Sequence, residues 1–212
     1  ESGFYRTTFN LQELCTDECA WAWQTDADIP QITNIEWTSS SPRVQWAFQR
    51  LAFDVTLCNF YLTNTEDKAE DPQYKLYRAE VRFLRALYYY HLMDCFGNIP
   101  FLTVVSSEPA PQATRQEVYN FIESELLEIE GTMSAPMTGT YGRADQAAAW
   151  MLLARLYLNA EVYTGTAQWA KAAEYAQKIM NSSYKLHTTG SHDAVNNKDW
   201  SAYQMLFMGD NG

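Results

Sequence analysis

The segment Tyr77–Phe101, YRAEVRFLRALYYYHLMDCFGNIPF, decides the fold that this chain adopts. Around it, apolar side chains recur at alternating steps of three and four, a spacing that places them on one face of an α-helix. These side chains are Leu76, Ala79, Phe83, Ala86, Tyr90 and Met93. Gly97 can take the left-handed conformation that ends a helix, and Pro100 lacks the N–H that would continue one. We therefore predict a long buried helix that ends in a turn at Phe96–Phe101.

Charged and aromatic side chains share this helix with the apolar face. Arg78, Arg82 and Arg85 follow helical spacing close to Glu80, which predicts a salt-bridged or solvated face rather than ligand contact. The three successive tyrosines 88–90 cannot share one face, because neighbouring helical residues diverge by about 100°. At least one of the three is therefore expected to meet solvent or a partner.

Helical spacing recurs on both sides of this segment. Val44–Leu62 predicts an earlier helix, and a capping box formed by Thr114 and Glu117 begins a later one that ends near Ile129. Ala147–Lys178 predicts a pair of helices whose small residues permit close antiparallel packing, as in tetratricopeptide units. The sequence thus indicates an all-α fold of tetratricopeptide-like helical hairpins, with about five helices.

Residues 1–46 have another character, rich in aromatic side chains and without helical periodicity outside Cys15–Trp23. We predict loops and short elements packed over the helices, with Trp37 and Trp46 as packing residues. The predicted organisation is an irregular N-terminal overlay at 1–43 and a helical domain at 44–212.

Composition excludes several classes of partner. The formal net charge of −11 disfavours nucleic acid and anionic membrane surfaces, which would repel the protein at long range. A neutral ligand or a protein is the expected partner. Cysteines at 15, 19, 58 and 95 form neither a CxxC pair nor a cluster with histidine, so we expect no metal and no cofactor.

Candidate catalytic groups are few. His91 lies within the aromatic helix and outside any nucleophile or metal motif, so we predict a packed core residue. Asp17-Glu18 and the pair Asp26 and Asp28 lie near aromatic residues, the one arrangement that suggests the acid and base of a glycosidase. Adjacent carboxylates point in different directions, however, and we expect no enzymatic activity.

The same region carries groups suited to binding a sugar. A pyranose ring has an apolar C–H face that stacks on indole and a rim of hydroxyls that bind charged side chains. Trp21 and Trp23, with Asp17, Asp26 and Arg6 nearby in sequence, form a candidate stacking platform with a polar edge. The alternative is that both tryptophans only fasten the N-terminal loops onto the helices.

Several segments, in this order, resemble the SusD/RagB family, the surface lipoproteins with which Bacteroidetes capture glycans. The segments are Thr16-Asp17-Glu18, Tyr77–Phe101, Arg115–Leu126, Gly142–Leu158 and Trp169–Leu186. Membership implies a protein on the outer-membrane surface that binds oligosaccharide or polysaccharide without cleaving it. It further implies association with a SusC-like TonB-dependent transporter, to which the glycan is delivered.

The resemblance also implies site residues. In starch-binding members, an arginine, an aspartate and two tryptophans line the glycan site, and the pattern R-x10-D-x3-W-x-W occurs here as Arg6, Asp17, Trp21 and Trp23. An asparagine is expected three residues later, where this chain has Asp26. On this pattern the favoured ligand is an α-glucan such as starch, with other glycans left open.

The family's lipid anchor lies at an N-terminal cysteine, and its architecture continues into a long C-terminal half. Neither is expected within this chain, so contact with the membrane would come only through an anchor outside it. Two other functions remain open: a tetratricopeptide adapter that binds proteins, and a glycoside hydrolase.

Overall fold

The fold is a set of paired helices in a computed structural model that describes residues 3–22, 26 and 28–207. The helices of the described residues are α1 (Phe4–Gln12), α2 (Ile29–Thr33), α3 (Pro42–Asn64), α4 (Pro72–Phe96), α5 (Arg115–Ile129), α6 (Gln146–Leu158), α7 (Ala160–Thr164), α8 (Trp169–Met180) and α9 (Ala202–Met205). Two antiparallel ribbons accompany them, β1 (Ile99–Pro100) with β2 (Gln112–Ala113), and β3 (Ser191–Asp193) with β4 (Lys198–Trp200). Within these ranges, every helix is too short or too polar to cross a bilayer.

The helices pack in the tetratricopeptide-like manner that the sequence predicts. Helix α4 lies between α3 and α5, and α6 packs on α8. The sequential helices α3, α4 and α5 are neighbours in space, although the connection from α4 to α5 runs from residue 97 to residue 114. The all-α fold is therefore confirmed, and the core lies between the facing stripes of α3, α4, α5 and α6.

Local signals place the helix ends. The Asp71 carboxylate accepts hydrogen bonds from the first backbone N–H groups of α4, and Pro72 occupies the first helical position. Gly97 ends the helix with a φ of 76°, a left-handed value that a side chain would strain. The capping box between Thr114 and Glu117 is confirmed at the start of α5.

The three tyrosines of α4 separate as helical geometry requires. Tyr89 and Tyr90 are buried, and the Tyr89 hydroxyl donates to the Leu102 carbonyl at 2.6 Å and accepts from the Leu102 N–H at 3.0 Å. Tyr88 lies at the edge of the core, where its ring meets Phe4 edge-on at 5.3 Å. Tyr88 is therefore the one of the three that is only partly buried and reaches solvent, as predicted, and its ring also packs on α1.

Helix α1 was not predicted, because its buried face is polar. Thr7, Thr8 and Asn10 are buried, while the rings of Tyr5 and Phe9 are exposed. The threonine hydroxyls donate to carbonyls one turn earlier, at 2.9–3.1 Å, so these side chains are buried with their hydroxyls satisfied. An apolar periodicity cannot reveal such a helix.

Other expectations for single segments were wrong. Residues 15–22 form a turn, a bend and irregular chain instead of a helix. Trp37, expected to pack, is 42% exposed. On α8, small residues such as Ala172 and Ala176 were expected at the interface with α6, but Ala176 is exposed and Tyr175 is buried beside Ala172. The Tyr175 ring packs against Tyr157 with centroids 5.6 Å apart. A large side chain, and not only small ones, therefore fills this interface.

A buried ionic network joins α4 to α5. One carboxylate, that of Glu125, accepts from Arg82 Nη2 at 2.7 Å and from Arg85 Nη2 at 2.8 Å. Arg85 also donates to Asn59 Oδ1 of α3 at 2.9 Å, and Arg82 reaches the exposed Glu128 at 2.7 Å. The prediction of a salt-bridged arginine face is confirmed.

Removal of the shared carboxylate tests how much this network stabilises the fold. We expect Glu125→Ala to lower the free energy of unfolding by about 3–5 kcal/mol, because two largely buried guanidinium groups lose their partner. Urea titration followed by circular dichroism measures this change.

Glu128→Ala is the matched control, since its carboxylate binds the same Arg82 and its side chain is 70% exposed. Its loss should cost less than about 1 kcal/mol. Equal effects of the two substitutions would show that burial of the network contributes nothing.

Candidate functional site

The N-terminal region is organised around the carboxylate of Asp26. Its Oδ1 lies 2.5 Å from Arg43 Nη2, and its Oδ2 lies 3.5 Å from Arg6 Nη2 on α1. A second carboxylate, that of Asp28, lies 4.0 Å from Arg43 Nε. Two of the five predicted site residues, Arg6 and Asp26, are thus brought into contact, and the segment before α2 is attached to the start of α3.

Arg43 is the residue of this site that sequence reasoning missed. Its side chain is only 2% exposed, and its Nη1 is buried without a hydrogen-bond partner in the described structure. Arg43 follows Pro42 in the first turn of α3, where the helix dipole disfavours a cation. A cation in that position needs carboxylate partners, and this is the sequence signal that could have pointed to Asp26 and Asp28.

Trp21 lies on a small apolar cluster of its own. Leu14, Ile29 and Ile32 are each 1% exposed, and the indole of Trp21 packs against them while part of it remains accessible. The ring is therefore held by packing without being sealed inside. Trp23 lies outside the described residues.

The remaining predicted residue, Asp17, stands apart. It is exposed in the bend that follows α1, and in the described part of the chain its carboxylate has no ion-pair partner. Two further aromatic rings sit on the outer face of α1 beside Arg6, with Tyr5 83% exposed and Phe9 47% exposed. Flat apolar surface next to a charged group is therefore present at this end of the molecule.

The carboxylates do not form the acid and base pair of a hydrolase. Asp26 and Asp28 both face the single guanidinium of Arg43. A glycosidase instead needs two carboxyl groups that flank the scissile glycosidic bond of its substrate. Asp17 and Glu18 are both exposed to solvent. Among the described residues, no three side chains of His, Cys, Asp or Glu cluster as metal ligands.

His91 is a core residue, as predicted. It is buried, and its ring makes edge contacts with Phe4 at 5.3 Å and Tyr90 at 5.4 Å. Burial lowers the pKa of His91 to about 4, because the charged imidazolium loses its hydration there. The ring is therefore neutral near pH 7 and faces aromatic rings of the core.

Comparison with known proteins agrees with the helical fold. A SusD-like family model, described as "Starch-binding associating with outer membrane", matches residues 5–158. The starch-binding protein SusD of Bacteroides thetaiotaomicron is 49% identical over 211 residues, which cover 100% of this chain and 36% of that protein. The chain belongs to the SusD-like family. It spans about a third of the length of this curated relative.

Solved structures show the same SusD-like fold. Surface glycan-binding protein A from Bacteroides uniformis is 26% identical with a TM-score of 0.70, over 86% of this chain and 42% of that one. A crystal structure with xylogluco-oligosaccharide has a TM-score of 0.74 at 21% identity, over 89% of this chain and 39% of that one. The helical scaffold is therefore shared by proteins of low sequence identity.

The role of Arg43 can be tested by removing its charge. We expect Arg43→Ala to lower the free energy of unfolding by about 2–3 kcal/mol, because two carboxylates lose a buried partner. Hydrogen exchange of the α2 amides should also become faster than in the parent protein.

Arg6→Ala is the control, since Arg6 contacts the same Asp26 at 3.5 Å and its side chain is 37% exposed. This change should cost less than about 1 kcal/mol. If Arg6→Ala were the more harmful substitution, the buried arginine would not be what holds the segment.

The burial of His91 predicts a pH dependence of stability. Its pKa is about 4 in the folded protein, against an ordinary 6.5. Between these values the unfolded chain binds more protons, so stability is fully present above pH 6.5 and falls as the pH drops towards 4. In His91→Leu, the loss of stability between about pH 7 and about pH 5 should be smaller by about 1–2 kcal/mol.

Urea titrations at the two pH values measure this difference, with His187→Leu as the control. His187 is exposed, so its replacement should leave the pH dependence unchanged. The same pH dependence in His91→Leu and in the parent would contradict the assignment.

Proposed function

We propose that this SusD-like chain binds oligosaccharide or polysaccharide at the bacterial cell surface and takes part in its delivery to a SusC-like TonB-dependent transporter. The observation that carries the proposal is the 49% identity to a starch-binding relative along the whole chain. That identity includes the region in which Arg6, Asp17, Trp21 and Trp23 form the R-x10-D-x3-W-x-W pattern.

The favoured ligand is an α-glucan such as starch or a malto-oligosaccharide. An accessible part of the Trp21 indole would stack on the apolar face of a glucose ring, and Trp23 would supply a second indole. Arg6 and Asp17 would donate to and accept from the hydroxyl rim. A neutral glycan also suits a protein whose formal net charge is −11, because no long-range repulsion opposes its approach.

Asp26 has a different role in this proposal from the one its position in the pattern suggests. Its two oxygens lie within 3.5 Å of Arg43 and Arg6, so the carboxylate is largely occupied by arginine. Asp26 would therefore orient Arg6 towards the glycan and hold the preceding segment in place. Hydroxyl contact at Asp26 would be secondary.

In this proposal, the two parts of the chain have different roles. Residues 1–43 would form the glycan-binding overlay, and residues 44–212 the tetratricopeptide-like scaffold beneath it. The matching family model is described as associating with the outer membrane, which supports a surface location through a lipid anchor. Bond cleavage would be left to other proteins, since the carboxylates near the tryptophans are ion-paired or exposed.

The Trp21 site can be tested by alanine substitution. We expect Trp21→Ala to weaken binding of maltoheptaose about tenfold or more, because the stacking surface is lost. Trp23→Ala should act in the same direction. Isothermal titration calorimetry measures the affinity, and circular dichroism should show unchanged helical content.

Trp37→Ala is the matched control, since Trp37 is an exposed tryptophan in the same N-terminal region and outside the pattern. It should bind like the parent. Unchanged affinity in both Trp21→Ala and Trp23→Ala would remove this site.

A panel of starch, levan, xylan and mannan in affinity electrophoresis, with reducing sugar measured alongside, separates the rival functions. Retardation without sugar release supports a binding protein. Release of reducing sugar would identify a hydrolase, and the lack of both would favour a protein-binding adapter.

A further inference from the structure

A cleft lies in the C-terminal part of the sequence, far along the chain from the tryptophan pattern. It is a cleft of about 730 Å³ between the loop 137–145 and the segment 183–187, with Leu206 at its edge. This volume falls in the range of about 300–1,000 Å³ that is typical of small-molecule sites. None of the described residues proposed above for glycan binding lines it.

One buried carboxylate holds both walls of this cleft. Asp145 Oδ2 accepts from the Tyr184 hydroxyl at 2.8 Å and from the Met137 N–H at 3.0 Å. Its Oδ1 accepts from the first N–H groups of α6, at 2.9 Å and 3.2 Å. Because Asp145 is only 6% exposed, these bonds are shielded from water, and the two walls are tied to a rigid helix end.

The lining combines flat apolar surface with side chains that form hydrogen bonds. Tyr141 is 73% exposed, Leu186 is 77% exposed and Tyr184 is 44% exposed. Thr140, Ser183 and His187 line the same cleft and offer hydroxyl or imidazole groups for hydrogen bonds. Exposed tyrosine rings beside hydrogen-bonding groups match the apolar face and hydroxyl rim of a pyranose.

The charges at the cleft argue against an anionic ligand. Arg143 is engaged by the Glu80 carboxylate, with its Nε 3.0 Å from Oε1, and its guanidinium lies over the Tyr77 ring at 4.5 Å. Lys185 donates to the Met180 carbonyl at 3.3 Å. Arg143 is thus already paired with a carboxylate. Lys185 keeps further N–H donors, but the Asp145 carboxylate of the same lining offsets its charge, so the described lining offers no excess of positive charge to a phosphate or carboxylate.

We propose that this cleft is a second saccharide-binding site, in which Tyr141 and Tyr184 stack on sugar rings. The inference rests on the proposed glycan-binding function and extends it to a surface formed by the loops next to α6 and α8. Tyr184 supplies a ring fixed by Asp145, whereas Tyr141 supplies an exposed ring on the loop. Two sites on one chain would let a long glycan be held at more than one point, which raises its overall affinity.

Nuclear magnetic resonance of the ¹⁵N-labelled chain titrated with maltoheptaose tests the proposal. We expect two groups of amides to shift, one near Arg6 and Trp21 and the other at 137–145 and 183–187. Tyr141→Ala should weaken binding at the second group by about fivefold or more and leave the first group unchanged. Trp21→Ala should have the reverse effect.

Trp169→Ala is the control, because Trp169 is an exposed aromatic residue that lines neither site. It should alter neither titration. Tyr184→Phe keeps the ring and removes the hydrogen bond to Asp145. It should therefore weaken only the maltoheptaose binding that is detected by the second group of amides.

The outcomes separate the two proposals. Shifts confined to the first group would overturn the proposal that the cleft binds saccharide and would leave the proposed function standing. Shifts confined to the second would support the cleft and overturn the tryptophan site. Shifts in neither group would overturn both, and equal binding by Tyr141→Ala and the parent at the second group would overturn the stacking role.

Discussion

The carboxylate of Glu125, shared by Arg82 and Arg85, is the interaction on which the arrangement of the helices depends. Apolar burial drives α3, α4 and α5 together, but it is non-directional and tolerates sliding. A carboxylate that must satisfy two guanidinium groups at 2.7 Å and 2.8 Å tolerates little movement, because an unpaired buried charge is costly. The bond from Arg85 to Asn59 at 2.9 Å includes α3 in the same constraint. One polar network thus sets the register of three helices.

A buried charged group that binds several partners also occurs in each of the two regions proposed to bind glycan. Arg43 lies between the carboxylates of Asp26 and Asp28, and Asp145 joins Tyr184 to Met137 and the start of α6. In each case a nearly buried charged group at a helix N-terminus holds chain that has little regular structure. The helices carry the stability, and these bonds fix loops upon them. Aromatic rings on such loops can then be presented to a ligand at low entropic cost.

Much of the scaffold could be predicted because its signals are local. The apolar periodicity around Tyr77–Phe101, the capping box at Thr114 and the stop at Gly97 each involve residues within a few turns of one another, and the structure has all three. The arginines of α4 were recognised as salt-bridged for the same reason, since their spacing places them on one face. Their partners on α5 lie 40 or more positions away, and no periodicity could identify them.

The candidate site was predicted less completely. The pattern of Arg6, Asp17 and Trp21 is visible in the sequence. The structure adds the contact between Arg6 and Asp26 and the buried Arg43, which was not recognised. Helix α1 was missed because threonines cover its buried face and aromatic rings its exposed one, the reverse of the usual pattern. The sequence by itself determined the longer helices α3, α4, α5, α6 and α8, the acidic charge and the family, since these depend on short-range spacing and residue order. Only the tertiary structure decided which carboxylates Arg43 binds, how Trp21 is supported and where a second cleft opens, because these depend on side chains brought together from distant parts of the chain.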